Sequence, residues 1–218
     1  MNVRNVITFL GLLFLPAVAF ASGEASNVIS QLITSYQKLI LIVGFLIGLG
    51  LTVSGGYKLI LMGEQGQKNS KSVPLMCFLA GALMMNAMGS LGLFSETYFS
   101  ASDLCFVVKD GVVNNSCMSD EMSGLTGELK TRIEKLSSGS TAQAFITNVS
   151  NIVGLFQIIG LIYFLVGVYG LVQVSNGSSK ESGYGKPIIT MFASALIVAL
   201  PHTAQLAIDT LESIGINF

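Results

Sequence analysis

Charge is what this chain of 218 residues has least of. Asp, Glu, Lys and Arg make up 11% of it, less than half of the roughly 25% usual in a soluble globular domain. The net charge is −1, so there is no electrostatic case for direct nucleic-acid binding. Histidine occurs once, which excludes a His-based metal cluster and a multi-His relay. There is no P-loop and no G-x-S-x-G. Gly63-x-x-Gly66 precedes no Lys-Ser/Thr in the register a phosphate loop needs. No catalytic constellation, cofactor or metal site is expected.

Apolar residues are abundant, at 51% of the chain, with a mean hydropathy of +0.70. They fall in long runs, the pattern of an integral membrane protein. Met1-Asn-Val-Arg4, an apolar core from Val6 to Leu15, Pro16 and Ala19-Phe20-Ala21 read as a secretory signal peptide cleaved after Ala21. Ser22 then starts outside the cytoplasm, and the pattern favours a bacterial inner membrane.

Four apolar runs reach spanning length: Lys38 to Met62, Val73 to Phe94, Asn151 to Val174 and Pro187 to Ile208. About 20 helical residues cross a bilayer core. The expected fold is an all-α membrane protein with four transmembrane helices in two tandem parallel-repeat hairpins. Residues 1–21 are the signal peptide, 22–94 the first membrane hairpin, 95–150 a periplasmic insert and 151–218 the second hairpin. Both mature termini and Ser95 to Ser150 then lie in the periplasm. The polar turns of the two hairpins lie in the cytoplasm and carry Lys68, Lys71, Lys180 and Lys186, as the positive-inside rule asks. Lys58, near the same end, is expected to snorkel to the headgroups.

The hairpins match in order. Gln37-x-x-x-Leu41-Ile42 aligns with Gln157-x-x-x-Leu161-Ile162, and Phe45-Leu46-Ile47-Gly48 with Phe164-Leu165-Val166-Gly167. Pro74 aligns with Pro187, each in a first helical turn where a missing N–H costs nothing. Gly44, Gly48, Gly55, Gly81, Gly167 and Gly170 form small-residue faces made for close helix packing. Asn86 and His202 are the polar residues in the outer halves of the second and fourth runs. They are read as interhelical hydrogen-bonding groups, or as the lining of a path.

In the insert, Asp110-Gly111 between Val107-Val108 and Val112-Val113 reads as a β-hairpin on a type I′ turn. Cys105 and Cys117 bracket it, and an oxidising periplasm favours a disulfide there over a metal site. Cys77 reads as a small core residue. Ser119 to Leu136 reads as an amphipathic helix with Met122, Leu125, Leu129, Ile133 and Leu136 on one face. Asn27 to Tyr36 and Ala142 to Ser150 read as outward extensions of the first and third helices.

A cleaved leader, two Gly-rich apolar helices and a short lysine-bearing hinge resemble the pilin family of type IV secretion and conjugation systems. With the hairpin doubled, the chain resembles the inner-membrane components of type IVB systems, of the DotE/IcmC kind. The resemblance implies a non-enzymatic structural subunit of a secretion or conjugation apparatus, acting by helix–helix assembly. Its partners would be membrane phospholipid and other copies or other secretion-system subunits. A pilin-like subunit extracted into a filament and a small membrane channel or transporter are the alternatives.

Overall fold

The computed structural model describes residues 25–65, 72–99, 104, 106–113, 139–178 and 183–215. The leader, Lys68, Lys71, Lys180, Cys105, Cys117 and the stretch Ser119 to Leu136 lie outside the described residues. What is described is mostly helical: α1 (Ala25–Gln65), α2 (Ser72–Met85), α3 (Ala87–Phe99), α4 (Gly139–Ser175), α5 (Gly185–Val198) and α6 (Leu200–Ser213). A two-stranded hairpin, β1 (Val108–Lys109) and β2 (Val112–Val113), lies between α3 and α4. The first and third apolar runs do extend back as continuous helix, to Ala25 and Gly139.

Two helices are long and apolar enough to cross a membrane, over Val28–Gly63 in α1 and Thr147–Ser175 in α4. The other two runs are not continuous helices. The second breaks at Asn86, where α2 and α3 are bent by 88°. The fourth breaks at Ala199, between α5 and α6.

Different residues cause the two breaks. At the first, Asn86 Oδ1 accepts a 3.2 Å bond from the Gly89 N–H, as an N-cap side chain does for the third residue of a new helix. At the second, Pro201 has no N–H to offer the Ile197 carbonyl, and Ala199 sits at φ −88°, ψ 38°, off the helical ψ. Both breaks use the same repair. The Ser90 hydroxyl lies 2.9 Å from the Asn86 carbonyl and 3.4 Å from that of Leu83. The Thr203 hydroxyl lies 3.0 Å from the Ala199 carbonyl and 2.9 Å from that of Leu196. The three residues of one device are each 113 positions from their counterparts in the other.

α1 and α2 pack antiparallel, as do α4 and α5, and the contacts again correspond. A Cβ on Gly48 would come within 2.8 Å of the Gly81 carbonyl and 2.9 Å of the Met85 nitrogen. A Cβ on Gly160 would come within 3.0 Å of the Ser194 carbonyl and the Val198 nitrogen. Gly55 lies over the Pro74 carbonyl, and Gly167 over that of Pro187. Gly48 therefore corresponds to Gly160 and Gly55 to Gly167, an offset of 112. The sequence match of Gly48 with Gly167 is out by seven residues. Seven residues are nearly two full turns, so the slip returns almost the same face and the apolar pattern does not penalise it.

The second unit lies on the first with α4 parallel to α1. Gly154 faces Ile33, and Leu165 faces Gly44. These facing pairs are both 121 residues apart, close to the 119–120 of the sequence match. That match had picked out residues at one height across the seam, and not residues with equivalent places in the two units. The core gathers Phe164, Val168 and Leu161 of α4 with Cys77, Ala80 and Met84 of α2 and Met191 and Val198 of α5. The bend at Asn86 sends α3 across the second unit. There Tyr98 meets Phe192 edge-on at 4.9 Å, and Phe94 meets Phe164 at 6.4 Å.

Candidate functional site: the seams and the hairpin clasp

All six expected packing glycines make contacts inside the chain. Gly44 receives the Leu165 side chain, and Gly48, Gly55 and Gly81 form the α1–α2 seam. Gly81 is backed by Thr52 Oγ1 and the Gly48 carbonyl. Gly167 and Gly170 lie against Met191 and Pro187. Without side chains at these points, backbones approach closely and dispersion contacts accumulate. Gly50, with nothing within 4 Å, belongs to no seam.

The β-hairpin folds as its residues require. Asp110 and Gly111 have φ 51° and 78°, the left-handed pair of a type I′ turn. Val108 pairs with Val113, and Lys109 with Val112. Its strand is no loose surface feature, because Val107 and Val108 are fully buried. Three residues of α1, four apart and so on one face, hold the turn. Ser30 Oγ donates to the Gly111 carbonyl at 2.8 Å, and Thr34 Oγ1 accepts from the Gly111 N–H at 2.9 Å. The Lys38 ammonium donates to the Asp110 carboxylate at 3.2 Å, an exposed pair.

Gln157 secures the other side. It is fully buried in α4. Its Oε1 accepts from the Val107 N–H at 3.1 Å and its Nε2 donates to the Val198 carbonyl at 2.9 Å. One amide thus joins the hairpin, α4 and the end of α5 at the second break. Gln37, its match in sequence, has a different place. It borders a cleft of about 530 Å³ between α1 and the hairpin, and its buried Nε2 has no hydrogen-bond partner.

Lys58 donates to Asn176 Oδ1 at 3.0 Å, which ties α1 to the end of α4 in addition to any headgroup contact. That end is shaped by Gly177 at φ 67°. The Ser178 N–H bonds to the Gln173 carbonyl and the Gly177 N–H to that of Val174, the paired closure of a Schellman turn. Lys186, the one hinge lysine among the described residues, is exposed on the first turn of α5.

Asn86 and His202 are not brought together. Asn86 is exposed at the start of α3. His202 is buried and stacks on Phe99 at the other end of α3, with ring centroids 5.6 Å apart. About 20 Å of helix separates the two. Cys77 is fully buried with a free thiol.

The sequence by itself marks Gln157 only as a repeat partner and Ser90 only as one of the small residues on a packing face, and it gives Ser30, Thr34 and Thr203 no role. The signals were present: a Gln inside an apolar run, and hydroxyls at helical spacing before a lysine or after a break. Fold and seams define a class: a mostly helical protein of two corresponding helical units, with helices long and apolar enough to cross a membrane. Comparison with family models, with curated proteins and with solved structures gives no match to this chain.

Proposed function

We propose that the chain is a non-enzymatic structural subunit of a type IV, in particular type IVB, secretion or conjugation apparatus. It sits in the bacterial inner membrane with its insert in the periplasm and acts by helix–helix assembly. All four apolar runs enter the bilayer, the second and fourth as broken spans. The observation that carries this reading is the pair of glycine-seamed helical hairpins with outward apolar faces. Ile42, Leu46, Val53 and Ile60 of α1 are each more than half exposed, far more apolar surface than a soluble monomer presents. Lipid or neighbouring subunits would cover it. The lysine-bearing turns face the cytoplasm or the lumen of the assembly.

The test is replacement of Lys68, Lys71, Lys180 and Lys186 by Glu, followed by measurement of secretion or conjugation in a host with an otherwise intact apparatus. Transfer is expected to fall sharply while membrane insertion persists. Unchanged transfer would sink the reading. The channel alternative lacks support from the separation of Asn86 and His202. Ion flux from the purified protein in liposomes, abolished by His202→Ala, would restore it.

A further inference from the structure

The second unit docks on the first through one stripe of α4. Gly154, Ile158, Leu161, Leu165, Val168 and Val172 follow one another at spacings of four and three, the register of a knobs-into-holes seam. Gly154 faces Ile33, and Leu165 lies on Gly44. Ile158 shares a cluster with Ile33, and Leu161, Val168 and Val172 share one with Cys77, Ala80 and Met84 of α2.

At the offset of 112 that relates α1 to α4, this stripe falls on Ile42, Leu46, Leu49, Val53, Gly56 and Ile60 of α1. Its place around the helix is the same, because Gly48 and Gly55 set the α1–α2 seam as Gly160 and Gly167 set the α4–α5 seam. In α1 the stripe stands open: its five larger side chains belong to residues between 47% and 66% exposed.

The receiving face recurs as well. The first unit receives the α4 stripe on Ile40 and Gly44 of α1 and on Cys77, Ala80 and Met84 of α2. The counterparts of the α1 pair are Ile152 and Phe156 of α4. At the offset of 113, those of the α2 set are Thr190, Ala193 and Ile197 of α5. None of these five is buried, and Ile152 and Phe156 are at least half exposed. Each copy thus carries an open stripe on its first unit and an open receiving face on its second, both built of uncharged residues.

Contact with lipid requires only that a surface be apolar. It does not require a stripe in the register of an existing seam, nor a matching face on the other unit. Lipid tails are as apolar as leucine, so helices associate in a bilayer through packing, and this packing already occurs once inside the chain. The sizes also fit. Within the chain Leu165 meets Gly44; the corresponding pair between copies is the smaller Val53 with the larger Phe156.

We propose that the open α1 stripe of one copy docks on the receiving face of the second unit of another, repeating between copies the seam that joins the units within one. Val53 of one copy then lies on Phe156 of the other. Such a head-to-tail contact closes as a ring or runs on as a row. It rests on the assembly reading above and deepens it, by naming the partner as the chain itself.

The test uses the full chain in vesicles of phosphatidylethanolamine and phosphatidylglycerol, at high and low protein density. The photoreactive residue benzoylphenylalanine is placed at position 53 or 156, and peptides from the dimer band are mapped. From position 53 the adduct is expected on α4 around Phe156, and from position 156 on α1 around Val53. Both should persist on dilution with lipid. Val53→Trp overpacks the contact and should lower the yield from position 156 by roughly tenfold. Leu75→Trp, equally exposed but about 200° around α2 from Cys77, should leave it unchanged. Should Val53→Trp melt early in detergent, the two adduct maps on the otherwise unaltered chain decide alone. Adducts from position 53 to lipid only, or to α1 of another copy as in a two-fold dimer, would overturn the proposal. So would loss of the adducts on dilution. Absent cross-links with transfer still blocked by the lysine reversals would remove this interface and leave the secretion reading standing. Cross-links formed while those reversals leave transfer unchanged would do the opposite.

Discussion

The two helical units do the same thing with different residues, and one of them is far better covered. In α1, 17% of its most apolar window is buried, against 50% in α4. The composition of the two helices does not cause this. α4 lies in the middle, with α1 and α2 on one side and α5 on the other, and α1 lies at the rim. The breaks teach the same lesson. Asn86 caps in one unit and Pro201 interrupts in the other, yet a hydroxyl four residues past the break serves both. What the units share is a requirement on backbone hydrogen bonds, and more than one side chain meets it.

The sharpest way to break the correspondence is at the seams. Gly48→Leu and Gly160→Leu should both be severely destabilising, by about 3 kcal/mol or more, because backbone atoms stand where the side chain would go. Gly50→Leu should leave the melting temperature in detergent almost unchanged. If Gly160→Leu were tolerated, the correspondence of the units at an offset of 112 would fail.

The two glutamines come next. Gln157→Leu strands the Val107 N–H and the Val198 carbonyl, and should cost about 2–4 kcal/mol. Gln37→Leu removes a donor that has no protein partner and should be neutral or mildly stabilising. Chemical denaturation of both variants in one detergent measures the contrast. Equal losses would mean that Gln37 is engaged much as Gln157 is.

Ser90→Ala and Thr203→Val should each cost about 1 kcal/mol and should speed amide exchange next to the break that carries them. A loss at one break only would show that the repair is needed in one unit alone. The smallest effect belongs to Lys38→Ala. Its pair with Asp110 is exposed on both sides, so the loss should be under about 1 kcal/mol and should vanish in high salt.

Local chemistry explains which features were legible in advance. The type I′ turn was legible because only an Asp-Gly or similar pair takes two positive φ angles cheaply. The first-turn prolines were legible because proline's constraints are its own. The packing glycines were legible as a class, while their partners were not, since a seven-residue slip leaves the face of a helix nearly unchanged. The break at Asn86 was hidden inside an apolar run long enough to span. Asparagine there serves equally as an interhelical bonding group or as a cap, and its neighbours in space decide which. The clasp joins residues such as Ser30 and Gly111 that are 81 positions apart, beyond the reach of any periodicity.

By itself the sequence determined what each segment can be: apolar helices with small faces, a tight hairpin at Asp110-Gly111, and polar turns carrying lysine. These follow from side-chain hydrophobicity and backbone sterics, which act locally. Only the tertiary structure decided that α4 is central and α1 peripheral, that Gln157 is a clamp while Gln37 borders a cleft, and that α3 turns aside to bind the second unit. Those outcomes depend on which surfaces meet, and on where each buried polar group finds its partner.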